Sequence, residues 1–111
     1  MSHITTDDGV EHTHHLDENG NPAGGYTNGV GFTIIWQNGP LAVDGVRREP
    51  NGAFVEHVLC AVIGRIEFYQ ESKFHCIHNA VALGHLKAAA EVLAERTRDR
   101  ESRGVEGTHE K

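Results

Sequence analysis

The sequence predicts an α+β protein in which a small antiparallel β-sheet precedes a long two-helix hairpin, assembled into a homo-oligomer. Apolar residues alternate over residues 30–37, the period of a strand, and recur every three or four positions over 54–93, the period of a helix. With 111 residues the chain has room for one small domain, whose core is marginal on its own. We therefore expect further copies of the chain to stabilise it.

The predicted sheet begins with a strand that carries Val30, Phe32, Ile34 and Trp36 at alternate positions. Asn38-Gly39-Pro40 then indicates a turn, residues 41–43 a short returning strand, and Asp44-Gly45 a second turn. Because Ile35 on the opposite face is also apolar, we expect this strand to be covered on both faces.

Two helices follow, each with a candidate N-cap. Asn51 after Pro50 predicts the start of a helix of about twenty residues that ends near Glu71-Ser72. Its apolar stripe is wide enough to be covered by two neighbours. Ser72 predicts the start of a second helix, about 45 Å long at helical rise, which is wholly polar after Ala94 and ends before Gly104.

Residues 1–25 are acidic, rich in Gly, Asn and His, and carry only isolated apolar residues. Such a composition buries too little surface to offset the entropy of ordering. We expect a flexible segment, ordered at most against a neighbouring subunit, followed by a single domain over residues 26–111.

Charge and cysteine content exclude several classes of protein. The net charge of −6 argues against a DNA, RNA or membrane binder, and the absence of Lys or Arg before Arg47 confines any anion site to the second half. Two cysteines make no disulfide framework, and neither a signal peptide nor a membrane-spanning stretch is evident. The expected location is the cytoplasm.

The sequence predicts neither an enzyme nor a metalloprotein. No Ser or Cys has an evident adjacent base, no carboxylate pair lies in apolar surroundings, and no cofactor motif is present. A zinc site from Cys60, His75, Cys76 and His78 is the alternative, but its spacing matches no standard zinc motif. The His-rich tract near His12 lies in the segment expected to be flexible.

Four of the seven arginines lie between Arg96 and Arg103, where helical pitch puts Arg96 and Arg100 on one face. Two interpretations remain open: a solvated helix end paired with its interspersed acids, or a row that clamps phosphates through guanidinium forks. The following segment, residues 104–108, is either a helix stop at Gly104 or a backbone cradle for an anion.

Two further side chains each have a structural and a ligand-binding interpretation. Tyr69, after Phe68, either packs against the core or stacks a purine, and Asn79 either finds a protein partner or bonds to a base or ribose edge.

Five segments taken together resemble the first-described family of phage Thoeris anti-defence sponges: Trp36-Gln37-Asn38-Gly39-Pro40, Pro50 to Glu56, Phe68 to Phe74, Arg96 to Arg100, and Arg103 to His109. The helical hairpin and the ending Gly-Val-Glu-Gly-Thr-His also resemble the phage anti-CBASS cyclic-nucleotide sponges. The resemblance covers roughly residues 30–109. It implies a short sheet and a helical hairpin assembled into dimers or hexamers.

The resemblance implies a non-enzymatic protein that sequesters cyclic nucleotide immune signals and releases them unmodified. The ligands are glycocyclic ADP-ribose isomers made by TIR-domain proteins and, in some members, cyclic di- or trinucleotides. By the resemblance, the ligand-binding residues are Tyr69, Asn79, Arg96 and Arg100, with an upstream arginine supplied by Arg47 or Arg48. A second pocket is implied at Arg103, Gly104, Val105, Gly107 and Thr108.

The alternative hypothesis is a helical-hairpin module that inhibits a host protein by direct contact and uses its arginines for subunit contacts.

Overall fold

The computed structural model describes residues 2–111, with side chains from Ile4 onward. The elements in chain order are β1 (Ser2–Asp7), β2 (Val10–Leu16), β3 (Pro22–Gly29), β4 (Phe32–Asn38), β5 (Ala42–Val43), β6 (Val46–Arg47), α1 (Val55–Gln70) and α2 (Ile77–Ser102). The chain divides into two compact units: a β-unit, which runs to Phe54 and includes Gly107–Lys111, and a helical unit over Val55–Glu106. The predicted α+β class is confirmed by the sheet and the two helices.

The β-unit contains a four-stranded antiparallel meander in the order β1-β2-β3-β4. We expected flexibility over residues 1–25, but residues 2–25 lie in strands and the turns between them, and Met1 lies outside the described residues. Asp8-Gly9 joins β1 to β2 with φ angles of 50° and 78°, as a two-residue hairpin turn requires. The backbone hydrogen bonds between the strands therefore order this segment, which its few apolar side chains do not do alone.

A carboxylate organises the loop between β2 and β3. The side chain of Asp17 accepts hydrogen bonds from the backbone N–H groups of Asn19 and Asn21, both at 2.9 Å. The Asn21 bond lowers the pKa of Asp17 below its usual value. Composition predicted a flexible segment here, but the Asp-x-Asn-x-Asn spacing favours this self-bonded turn.

The strand predicted over residues 30–37 is confirmed as β4, which begins two residues later, at Phe32, and ends at Asn38. One sheet face centres on Thr27, which is buried and accepts a 2.9 Å hydrogen bond from Trp36 Nε1. On the opposite face Ile35 is 63% exposed within the chain, so the expected second cover is not provided by the described residues.

The predicted short strand at 41–43 is confirmed as β5, which pairs with β6 across the Asp44-Gly45 turn rather than with the main sheet. The backbone N–H of Ala42 also donates to the carbonyl of Gly107, which attaches the C-terminal segment to this hairpin.

Asn51 does not cap a helix, so that prediction is wrong. Its side-chain amide instead exchanges two hydrogen bonds with the backbone of Asn38, at 2.8 and 2.9 Å, and Gln37 Oε1 accepts from the backbone N–H of Asn51. Ala53 continues this contact by bonding to the β4 backbone. The chain therefore stays extended until α1 begins at Val55.

In the helical unit, α1 and α2 form the predicted antiparallel hairpin, joined by the ion pairs Lys87–Glu67 and Arg96–Glu56. The predicted cap at Ser72 is wrong, because its hydroxyl donates to Tyr69 O and accepts from Phe74 N inside the connecting turn. Cys76 caps α2 instead, its sulfur accepting from Asn79 N at 3.4 Å. Over residues 2–111, no helix combines the length and apolar character needed to cross a membrane.

We expect Gly25→Ala to destabilise the sheet far more than Gly20→Ala. Both glycines have positive φ, but a Cβ at Gly25 would lie 2.0 Å from the Thr13 carbonyl oxygen, whereas Gly20 has open space. Backbone strain costs about 1 kcal/mol at either position, and the clash adds to it at Gly25. Urea unfolding of both variants at one protein concentration measures the difference, and equal losses would contradict the packing role of Gly25.

Candidate functional site

Tyr69 lies on the last turn of α1 and keeps 38% of its surface exposed. Its ring contacts Arg65 one helical turn earlier: the guanidinium carbon is 5.0 Å from the ring centroid, and Nε donates to the phenol oxygen at 3.3 Å. The same guanidinium is 5.1 Å from the Phe68 ring. Tyr69 is therefore an accessible aromatic surface held by a cation, rather than a core residue.

Arg65 was not predicted from the sequence. The signal was available, because Arg65, Phe68 and Tyr69 stand at i, i+3 and i+4, the spacing at which side chains meet on a helix.

Asn79 lies in the first turn of α2 and not in its interior, because the helix begins later than predicted. Its amide nitrogen is 3.5 Å from the Phe74 carbonyl, and the side chain is half-buried. Tyr69 and Asn79 thus flank the connection between the helices, here called the turn end of the hairpin.

Arg96 and Arg100 lie at the other end of the hairpin, the open end, where α1 begins and α2 finishes. Arg96 forms an ion pair with Glu56 on the first turn of α1. Arg100 donates to the Val105 carbonyl at 2.9 Å. Neither residue is buried, so both can reach a ligand at this end.

The two predicted groups do not meet within one chain. Asn79 and Arg96 are separated by 17 positions along α2, which is about 25 Å at 1.5 Å per residue. No single nucleotide pocket in one copy contains both groups.

The end of α2 confirms one interpretation of the Gly104 segment. Gly104 has a φ of 73°, its N–H donates to Glu101 O, and the N–H of Val105 donates to Arg100 O. These two bonds define a Schellman cap. Arg103 pairs with Asp99 at 3.1 Å, as in an ordinary exposed helix end.

The remaining predicted residues lie mainly in the β-unit. Arg47 is on β6, where its Nη1 lies 3.1 Å from the position that a Cβ on Gly107 would take. Arg47 therefore lies beside Gly107, one of the residues predicted for the second pocket. Arg48 is exposed and donates its backbone N–H to Leu41, and the Thr108 hydroxyl accepts from Glu110 N at 3.1 Å.

Cys60 and Cys76 both have free thiols and are exposed. Over the described residues, no group of three or more His, Cys, Asp or Glu side chains is arranged to hold a metal ion.

The described chain is thus a small α+β protein with a helical hairpin that carries an aromatic ring and an amide at one end and arginines at the other. It is 43% identical over 79 residues to Thoeris anti-defense 1 of Bacillus phage SBSphiJ7, a match that covers 71% of this chain and 53% of the relative. The chain belongs to the Thoeris anti-defence family. It spans about half the length of that relative, and no established family model matches it.

We expect two glycine substitutions, one within α2 and one in the cap that follows it, to change stability in opposite directions. Gly104→Ala places a side chain at positive φ and weakens the cap by about 1 kcal/mol. Gly84→Ala, in a helix interior with open space at Cβ, raises the free energy of unfolding by about 0.5–1 kcal/mol. Denaturant unfolding measures both, and a destabilising Gly84→Ala would show that another chain approaches that backbone.

Proposed function

We propose that this protein counters the bacterial Thoeris defence by binding and sequestering a cyclic nucleotide signal without degrading it. The observation that carries the proposal is the identity of 43% to a phage protein named Thoeris anti-defense 1. The signal is a glycocyclic ADP-ribose isomer made by a TIR-domain enzyme in the cytoplasm of the infected host. Tyr69, Asn79, Arg96 and Arg100 supply the stacking ring, amide and guanidinium forks that a purine and a pyrophosphate require.

The separation of these residues requires that two copies of the chain share each site. In this arrangement Tyr69 and Asn79 come from one subunit, and Arg96 and Arg100 from its partner. An antiparallel association of two hairpins brings a turn end beside an open end, so that each pair of copies forms two equivalent sites.

An exposed apolar row on α1 supports this association. Val55, Val62 and Tyr69 recur every seven residues and are 54%, 43% and 38% exposed. A seven-residue repeat keeps these positions on nearly one face of the helix. The row spans about 21 Å from Val55 to Tyr69, close to the separation of the two residue groups along α2. Packing two such rows antiparallel buries the apolar surface and completes both sites, and higher assembly to a hexamer uses other surfaces.

Arg96 is poised to exchange partners on binding. Its charge is matched by Glu56 in an ion pair in which the Arg96 side chain remains 58% exposed. Exposed pairs of this kind contribute about 0–1 kcal/mol, so a doubly charged pyrophosphate can replace the carboxylate at little cost.

A second ligand class is proposed for the segment after α2. The residues proposed to contact a cyclic di- or trinucleotide are Arg103, Gly104 and Val105 in the helical unit and Gly107 and Thr108 in the β-unit. Arg103 offers a guanidinium and Thr108 a hydroxyl, whereas the N–H groups of Gly104 and Val105 are used by the α2 cap.

We expect purified protein, incubated with TIR-enzyme products and then freed of unbound ligand, to release intact glycocyclic ADP-ribose on denaturation, detected by mass spectrometry. Arg96→Ala combined with Arg100→Ala abolishes this capture, because both phosphate forks are lost. Arg98→Ala is the matched control, since Arg98 lies on the same helix and pairs with Glu91.

Circular dichroism of the double variant verifies that the helices remain. Failure of the wild type to capture any cyclic nucleotide, together with specific retention of a host protein, would favour the direct-contact inhibitor instead. The exposed Ile77, Val81 and Val92 on α2 give that alternative a surface to use.

Subunit complementation tests the shared site. Tyr69→Ala and Arg96→Ala homo-oligomers should each lose binding, whereas heterodimers selected through two different tags should recover about half of the wild-type sites. In such a heterodimer one site combines the intact Tyr69 of one subunit with the intact Arg96 of the other. Heterodimers that remain inactive would contradict sharing between subunits.

A further inference from the structure

Arg65 is a cation whose charge the described chain leaves available. Its partners among residues 2–111 are two aromatic rings and the phenol oxygen of Tyr69, and it forms no ion pair with a described carboxylate. By contrast, Arg96, Arg98 and Arg103 in the same hairpin each pair with an acid.

The surroundings of Arg65 favour an anion. Glu67, the acid nearest to Arg65 along α1, is engaged by Lys87 at 3.3 Å. Lys73, in the connecting turn, lies 5.3 Å from the Phe74 ring centroid and is a second cation at the turn end of the hairpin. Stacking on an aromatic ring fixes the orientation of a guanidinium but leaves its positive charge unneutralised. The side chain therefore loses less conformational entropy when it binds a ligand.

The spacing of Arg65 and Tyr69 suits a nucleotide. The two residues are one turn apart on α1, about 6 Å along the axis. A nucleotide places its phosphate one ribose away from its base, a comparable distance. A purine on the exposed surface of Tyr69 therefore presents its phosphate toward Arg65.

We propose that Arg65 is a specificity-determining residue of the nucleotide site that binds a phosphate of the ligand whose base stacks on Tyr69. The inference rests on the function proposed above and adds a charge at the turn end of the hairpin, distinct from the arginines at the open end. The site then carries guanidinium groups on both sides of the ligand, and it selects a pyrophosphate-bridged nucleotide over an uncharged nucleoside.

The test compares wild type, Arg65→Gln, Arg65→Lys and the control Arg98→Gln by titration with glycocyclic ADP-ribose and with adenosine at several salt concentrations. Arg65→Gln should weaken glycocyclic ADP-ribose binding at least tenfold and reduce its salt dependence, because one charge contact is lost. Adenosine binding should change little. Arg65→Lys should restore the salt dependence but only part of the affinity, since lysine lacks the planar fork.

An equal loss for both ligands, with unchanged salt dependence, would show that Arg65 merely holds the Tyr69 ring and would overturn the inference. Unaltered glycocyclic ADP-ribose binding by Arg65→Gln would also overturn it while leaving the proposed function intact. If the wild type binds neither ligand, the proposed function fails and this inference fails with it.

Discussion

The antiparallel course of the hairpin is the constraint on which the proposed site depends. Because α1 and α2 run in opposite directions, a residue late in α1 and one early in α2 meet at the turn end, while residues late in α2 return to the start of α1. This geometry places Tyr69 and Asn79 at the same end of the hairpin and Arg96 beside Glu56. A ligand that needs both groups therefore needs two chains.

The chain also has little interior of its own. Among the described residues, Val105 is the one apolar side chain that is buried, and Thr13 and Thr27 are the buried polar residues. Removing apolar surface from water stabilises a protein by about 25 cal/mol per Å². The exposed Val, Ile, Phe and Tyr side chains therefore stabilise the protein further when another chain covers them. In the proposed assembly, burying that surface and forming the ligand site are one event, so folding, association and binding favour one another.

The sequence predicted the parts of this molecule whose pattern is periodic. The helical hairpin, β4, β5 and the glycine cap at residue 104 follow from spacing and turn chemistry. The first three strands were missed because their order comes from backbone ladders and from the Asp8-Gly9 and Asp17 turns, whereas their side chains are polar. The prediction for Asn51 was wrong because asparagine is equally suited to cap a helix and to bond to a neighbouring backbone. Its bonds to Asn38, 13 residues away, cannot be inferred from the sequence around Asn51. The residues of the proposed site remain predictions, and the distance between Asn79 and Arg96 follows from their sequence separation once both are placed on one helix.

The hydrogen bond from Arg100 to the Val105 carbonyl connects the two proposed ligand sites. Arg100 belongs to the first proposed site, and Val105 to the segment proposed for the second. A phosphate that draws the guanidinium away removes one of the bonds that hold this segment, and a ligand that reorders the segment changes the freedom of Arg100. The two binding equilibria are then thermodynamically linked, and each ligand alters the affinity for the other by the same factor. Under the proposal of two ligand sites, occupation of one site therefore sets the affinity of the other.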